Sequence, residues 1–371
     1  MAPIVSELRS SSLFEPIVVV TGQHREMLDQ VNGLFGIEPD LDLDIFAAGQ
    51  GLTGLTTKAL AGVGEAIREL GPDAVLVQGD TTTTFASALA AFYEQVPVVH
   101  VEAGLRTSDR YSPFPEEINR RLTTGLASLH LAPTERNRAA LLAENVPPES
   151  IAVTGNTVID ALLQVQAKQL PYTDPELAEL AARASDVTGP GNRILLVTTH
   201  RRESWGEPMR NAMAAVARVA AAHPDLAVVL PMHRNPVVRD VVESELGTLD
   251  NVLLTEPLAY GEFARLMSDS SIVLTDSGGV QEEAPSLGKP VLVLRDNTER
   301  PEATAAGTVR LVGTDGAAVH SALTELLDDP AAYARMSNAV NPYGDGKAAA
   351  RSVAAIADYF SAGTRLPDFA P

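Results

Sequence analysis

The sequence predicts two doubly wound, Rossmann-like α/β domains facing across a cleft. Three observations predict it. Apolar runs of about 4–8 residues alternate with amphipathic stretches of about 10–17 residues, the pattern of parallel strands separated by covering helices. The strand-like runs are continuously apolar, as expected for sheets covered on both faces. The chain has 371 residues and 45% hydrophobic content, more than one core usually holds, since single cores stop growing near ~250–300 residues.

The elements follow in order. Residues 2–10 read as an amphipathic helix with no strand before it. Doubly wound folds normally enter through a central strand, so the first central strand of the first domain is expected to be missing. A first series of strands comes next: PIVVVTG (16–22), AVLVQGD (74–80), VPVVHVEAG (96–104), LHLAP (129–133) and IAVTGN (151–156). DLDLD (40–44) reads as a half-exposed strand entry rather than a metal site, because its Asp and Leu alternate. The stretch 169–192, QLPYTDPELAELAARASDVTGPGN, is rich in Pro, Gly and polar residues and reads as a linker with a flanking helix. A second series follows: RILLVTTH (193–200), LAVVLPMH (226–233), NVLLTEP (251–257), SIVLTDSGG (271–279), PVLVLRD (290–296) and TVRLVG (308–313). The expected domains are therefore 1–168 and 193–345, with a C-terminal helix and tail, 346–371, packing back on the first.

Totals exclude several classes. Lys and Arg number 28 against 48 Asp and Glu, a net charge of −20, which repels nucleic acid and anionic membranes. A small anionic ligand is still allowed, because it feels local dipoles and a few arginines. With no cysteine, disulfides and thiolate metal sites are excluded. MAPIVSELRSS has no basic lead, and Glu7 and Arg9 interrupt it early, unlike a signal peptide. No apolar run reaches the roughly 18 residues of a membrane span. A cytoplasmic protein is expected.

Chemistry-bearing residues gather at strand ends, where open α/β sheets bind ligands. TDSGGVQEEAPSLGKP (275–290) ends a strand at Asp276 and Ser277, and Gly278–Gly279 open a short helix. Glycines admit close backbone approach, and free N–H groups with the helix dipole favour a phosphate, while Glu283 could accept from ribose hydroxyls. An ordinary Ser-capped helix explains the same residues, and local sequence leaves both readings open. Neither a GxGxxG turn nor a Walker A loop is present, so no NAD or ATP cofactor is expected. Arg300, in RDNTERPEA (295–303), could face a diphosphate or sit in a solvated loop. Asp80 precedes four threonines, Thr81–Thr84; it is either a site acid or a helix cap. In HVEAGLRTSDRYSPFPEEINRR (100–121), Glu102 closes a strand, Arg106, Arg110 and Tyr111 crowd a loop, and Glu116 begins a helix. Glu116 also fits simple dipole decoration. His200 ends the first strand of the second series; a lone His is often structural, but followed by Arg201 and Arg202 at a strand's carboxyl end it is better placed to meet phosphate or a leaving group. Three carboxylates and a His without a cofactor motif suggest acid–base chemistry on a nucleotide-linked substrate.

Longer motifs carry a resemblance. GQHREMLDQV (22–31), GDTTTTFASALAAFYEQVPVVHVEAGLRT (79–107), YSPFPEEINR (111–120), TGNTVIDAL (154–162), HRRES (200–204), LTDSGGVQEEAPSLGKPVLVLRDNTERPEA (274–303) and NPYGDG (341–346) resemble the non-hydrolysing UDP-N-acetylglucosamine 2-epimerase family. The resemblance implies a GT-B-like pair of domains, a homodimer, and interconversion of UDP-GlcNAc and UDP-ManNAc with no cofactor and no obligatory metal. It implies elimination of UDP to a 2-acetamidoglucal and re-addition on the opposite face. Asp80, Glu102, Glu116 and His200 match the family's catalytic positions. Ser277, Gly278, Gly279, Glu283 and Arg300 match its UDP-binding positions, with Phe263 beside the uracil. Two departures stand out. The family's opening strand and Gly-Thr-Arg-Pro-Glu loop do not appear, and Glu26 and Gly49 differ from the Gln and Arg of members activated by a second UDP-GlcNAc. A glycosyltransferase of the same fold and a non-catalytic UDP-sugar binder are the competing readings.

Overall fold

The computed structural model describes residues 1–22, 25–46, 49–107, 109–185, 193–298 and 300–371. Residues 186–192 of the expected linker and the side chain of Glu26 lie outside the described residues. The chain divides into two compact units, Met1–Ala161 with Tyr343–Pro371, and Leu162–Pro342. The boundary falls inside the helix Thr157–Ala167.

The second unit holds a six-stranded sheet. Its strands, numbered on from the six of the first unit, are β7 (Arg193–Thr198), β8 (Leu226–Pro231), β9 (Val252–Thr255), β10 (Ile272–Thr275), β11 (Val291–Val293) and β12 (Val309–Leu311). All pairings are parallel, in the order β12-β11-β10-β7-β8-β9. That is the doubly wound order, with its reversal point between β7 and β10, where such sheets open a ligand crevice at the strands' carboxyl ends. Register pairs Thr198 with Thr275, so the loops starting at residues 199 and 276 leave the sheet side by side. Leu195, Val197, Val228, Leu230, Ile272 and Leu274 alternate onto one face and pack against Met209, Met213 and Val216 of the helix Glu207–Ala222. Period-two strands meet a period-3.6 helix here, and each fully buried aliphatic side chain contributes about 1.5–3 kcal/mol.

The first unit holds β1 (Val19–Val20), β2 (Leu41–Asp42), β3 (Val75–Gln78), β4 (Val98–Val101), β5 (Leu129–Ala132) and β6 (Ile151–Val153). They form two separate parallel sheets, β1-β2 and β3-β4-β5-β6. Among the described residues no strand joins β1 to β3. The DLDLD stretch supplies β2, where Asp42 accepts the N–H of Asp44. Alternation again sorts the core. Val99, Val101, Leu129 and Leu131 face Ile4 and Leu8 of the helix Ala2–Ser10 and Val353 and Ile356 of the helix Ala348–Tyr359. Val77 and Val98 face Val63 and Ile67 of the helix Leu52–Leu70 and Ala88, Ala90 and Ala91 of the helix Thr82–Tyr93.

The C-terminal helix is anchored by a carboxylate from far up the chain. Its own N-cap, Lys347, supplies no side-chain cap. Asp160 does so instead, accepting from Ala349 N at 2.8 Å and Ala348 N at 3.2 Å. Burial raises the Asp160 carboxyl above its usual range, against the pull of those N–H groups.

Candidate active site

In the first unit the candidate acids collect at the carboxyl ends of β3 and β4. After β3 the chain passes Gly79 and Asp80, and Thr81 caps the helix Thr82–Tyr93 by accepting from Thr84 N. Asp80 is therefore not the cap. Its Oδ2 lies 2.9 Å from Arg120 Nε and 2.7 Å from Arg120 Nη2, and its carbonyl accepts from Asn119 Nδ2 at 2.9 Å. Thr84 turns inward too, donating to Gln78 O at 2.7 Å and sharing a 3.0 Å bond with Thr81. Two of the four threonines thus fasten the end of β3.

Glu116 is the first residue of the helix Glu116–Leu126 and is half-buried. Asn119 and Arg120 follow it at three and four positions, on the same helix face. The helix that carries Glu116 is thereby held against Asp80. Behind them Glu117 is fully buried and accepts from Arg121 Nε at 2.9 Å, Thr107 N at 2.9 Å and Arg120 Nη1 at 3.3 Å. Burial alone would raise this carboxyl, but the donors outweigh it and hold it below its usual range.

Glu102, directly after β4, has φ +63°, an uncommon and strained setting for a non-glycine residue. Gln78 Nε2 and Asn156 Nδ2 each stand 3.5 Å from its carboxylate. Two residues on, Gly104 has φ +93°, and a Cβ there would run into the carbonyl of Asn137. The loop after Glu102 can therefore lie flat only with glycine at that position. Of the loop cations, Arg106 is committed to the fold by a two-pronged contact with Glu144 at 2.8 Å and a bond to Thr124, and Arg110 lies over the Tyr111 ring.

In the second unit the candidates stand at the reversal point of the sheet. His200 follows β7 and is 45% exposed. Asp276 follows β10, is fully buried, and lies 2.8 Å from His200 Nδ1. The ring of His233, after β8, stacks on His200 at 6.4 Å between centroids. Ser277 is the N-cap position of the helix Gly278–Glu283 but makes no side-chain cap bond, so simple capping does not account for it. Arg300 is paired with the buried Glu282 through Nε. Its Nη1 would be 2.7 Å from a Cβ at Gly278, so the guanidinium lies against the start of that helix. Glu283 is buried and accepts from Tyr260 Oη at 2.8 Å. Burial pushes its carboxyl up to about 7; the Tyr260 bond pulls the other way and nearby Glu282 adds to the rise. Phe263, half-buried, lies one turn beyond Tyr260 on the helix Tyr260–Asp269.

The sequence reading missed Arg120, Asn119, Asp276, His233, Glu282 and Tyr260. Asp276 and Glu282 were visible within the motif that singled out their neighbours. Arg120 carried a signal too, since it sits four residues after Glu116 on a helix that opens with Pro-Glu-Glu. His233 and Tyr260 carried none.

Two parallel α/β units, one with the doubly wound strand order, define the GT-B-like class of two-domain fold. Comparison with known proteins narrows this. The family described as UDP-N-acetylglucosamine 2-epimerase matches residues 6–357. The UDP-N-acetylglucosamine 2-epimerase of Escherichia coli K12 is 54% identical over 356 residues, 96% of this chain and 94% of the relative. Among solved structures, the S. aureus MnaA–UDP co-structure superposes with a TM-score of 0.88 at 46% identity, covering 100% of this chain and 96% of that one. The UDP-GlcNAc 2-epimerase of Neisseria meningitidis bound to UDP-GlcNAc does so with a TM-score of 0.85 at 46% identity, covering 96% of each. The chain belongs to the UDP-N-acetylglucosamine 2-epimerase family.

Proposed function

We propose that the protein interconverts UDP-N-acetylglucosamine and UDP-N-acetylmannosamine by inversion at C2, supplying precursors of surface polysaccharide. The observation that carries this reading is the family match over residues 6–357, a span that includes every candidate residue of both units. The structures of the S. aureus and N. meningitidis relatives, with UDP and UDP-GlcNAc respectively, support the ligand class.

In this reading the first unit handles the proton. The C2 hydrogen lies beside an acetamido group and is weakly acidic, so a positioned carboxylate is needed to take it. As the C2–H bond breaks, its electron pair forms the C1=C2 bond. The C1–O bond breaks as that double bond forms, and UDP leaves with the C1–O pair. Re-addition returns UDP oxygen to C1 and a proton to the other face of C2. Asp80 and Glu116 are assigned to the proton at C2, and Glu102 to orienting the sugar. Arg120, which donates to Asp80 through two nitrogens, fixes where that carboxylate points.

The second unit holds the nucleotide. Arg300 with the Ser277–Gly279 turn takes the diphosphate, where positive charge stabilises the departing group. Glu283 takes the ribose hydroxyls and Phe263 the uracil. His200 faces the leaving group. We assign residues 1–168 to the catalytic half and 193–345 to the nucleotide half, and place the enzyme in the cytoplasm as a homodimer. No helix among the described residues is long and apolar enough to cross a membrane.

The test is incubation with UDP-GlcNAc followed by proton NMR. Appearance of the UDP-ManNAc anomeric signal supports the proposal. Sugar transfer to an acceptor, or binding with no turnover, contradicts it.

A further inference from the structure

The carboxylate behind His200 has a more specific arrangement than packing requires. Asp276 Oδ2 gathers three donors from the loop after β7: Thr199 Oγ1 at 3.0 Å, His200 N at 2.9 Å and Arg201 N at 2.9 Å. Its other oxygen, Oδ1, is buried and has no donor in full hydrogen-bond geometry; the nearest is the Nδ1 of His200, 2.8 Å away but not aligned on it, so a small turn of the ring completes the bond. The carboxylate is fully buried while the ring it meets is 45% exposed. One oxygen thus fixes the backbone of the loop, and the other faces the ring that the loop carries.

A second ring limits the motion of the first. His233 stacks on His200 with 28° between planes. Its own Nδ1 accepts the N–H of Asn235 at 3.1 Å, so it is held in place by the turn after β8. His200 is therefore constrained at its backbone, at Nδ1 and on one face.

We propose that Asp276 is the positioning residue of His200: it holds the ring proton on Nδ1 and leaves Nε2 as the nitrogen presented to substrate. The inference rests on the assignment of His200 to the active site made above. The physical logic is that of a carboxylate-oriented imidazole. The group bonded to one ring nitrogen decides the tautomer, and hence what the other nitrogen can do. Asp276 never touches substrate; it acts through the ring. Its position supports this role, because β7 and β10 are neighbours at the reversal point and their last residues are in register. The ring and its orienting carboxylate thus come from the two strand ends that flank the sheet's ligand crevice.

The decisive substitution is Asp276→Asn. Its amide oxygen can still accept from the loop N–H groups. Its NH₂, if turned to the ring, donates to Nδ1 and forces the proton onto Nε2. Turnover of UDP-GlcNAc is measured for wild type, H200N, D276N and the double variant, together with UDP affinity. Nitrogen-15 NMR of the His200 ring reports the tautomer. The proposal expects D276N to lower kcat by roughly 10²-fold, the scale of a positioned acid–base group, with KM and UDP affinity within about twofold, by the same logic of an interaction made in the transition state. It expects the double variant to be no slower than H200N, and the ring proton to sit on Nδ1 in wild type and Nε2 in D276N. A slow H200N beside a D276N of wild-type rate, or losses that multiply in the double variant, overturns the role of Asp276 alone. A wild-type rate in H200N overturns the assignment of His200 itself. Should D276N not fold, the wild-type spectrum decides: a ring protonated only on Nε2 contradicts the proposal.

Discussion

Arg120 grips a single oxygen of Asp80 with two nitrogens, Nε at 2.9 Å and Nη2 at 2.7 Å, while its remaining nitrogen, Nη1, reaches Glu117 at 3.3 Å. One guanidinium thus serves a half-exposed acid assigned to catalysis and a fully buried acid that faces no solvent. The two contacts predict separable effects. Arg120→Lys keeps the charge but loses the planar fork, so turnover should fall at least about tenfold, the effect expected of misplacing a catalytic group, with the fold kept. Arg120→Met leaves Glu117 without one of its cationic partners; losing one partner of a buried pair costs on the order of 3–5 kcal/mol. Urea unfolding should show that loss, and the Glu117→Gln, Arg120→Met double variant should recover part of it. Equal stability in wild type and Arg120→Met would remove the pair from the account.

Gly278 and Arg300 give a second prediction. A methyl group at position 278 would be 2.7 Å from Arg300 Nη1 and 3.0 Å from its Cζ, so Gly278→Ala must displace the guanidinium. UDP affinity measured by calorimetry should weaken about tenfold or more, the scale of a lost charged hydrogen bond. In an Arg300→Ala background the same change should add little. A full additional loss there would mean that Gly278 contacts the ligand by some other route.

Glu283 predicts a pH dependence. Its folded value, about 7, stands above the ordinary 4.5. Between those values the folded protein keeps a proton that the unfolded chain has released. Stability contributed by the group is therefore complete below about pH 4.5, falls as pH rises through 7, and is level above it. Glu283→Gln lacks this loss. The variant should gain on wild type between pH 5 and pH 8, by at most a few kcal/mol. Carboxyl carbon-13 NMR of the ligand-free protein should place the Glu283 midpoint near 7, and higher still in Tyr260→Phe, which removes the bond that lowers it. A midpoint near 4.5 would contradict the burial argument.

Strand positions were legible because burial on both faces writes a continuous apolar run into the sequence. Each of the eleven runs contains one of the observed strands, from Val19–Val20 to Val309–Leu311. The run boundaries overreached, since TGN after Val153 and Asp276–Ser277 after Thr275 lie beyond the strands, and Gly278–Gly279 begin a helix. The separation of β1-β2 from the four-stranded sheet depends on pairing, which no local pattern records. The acids Asp80 and Glu102 were legible as polar residues closing apolar strands. Their partners were not. Arg120 is 40 positions from Asp80 and meets it only because the helix Glu116–Leu126 lies across the end of β3. Tyr260 reaches Glu283 from a different helix, 23 positions away. Asp276 stood in plain view beside Ser277, but its task depends on β7 and β10 being neighbours, a consequence of the strand order.

The central claim is that a carboxylate of the first unit removes and returns the proton at C2. Incubating UDP-GlcNAc with the enzyme in D₂O and examining the recovered sugar nucleotides tests it most directly. The account predicts deuterium at C2 in both epimers for the wild type, and none for Asp80→Asn even though that variant still binds UDP. Epimerisation without deuterium at C2, or full exchange in Asp80→Asn, would contradict it.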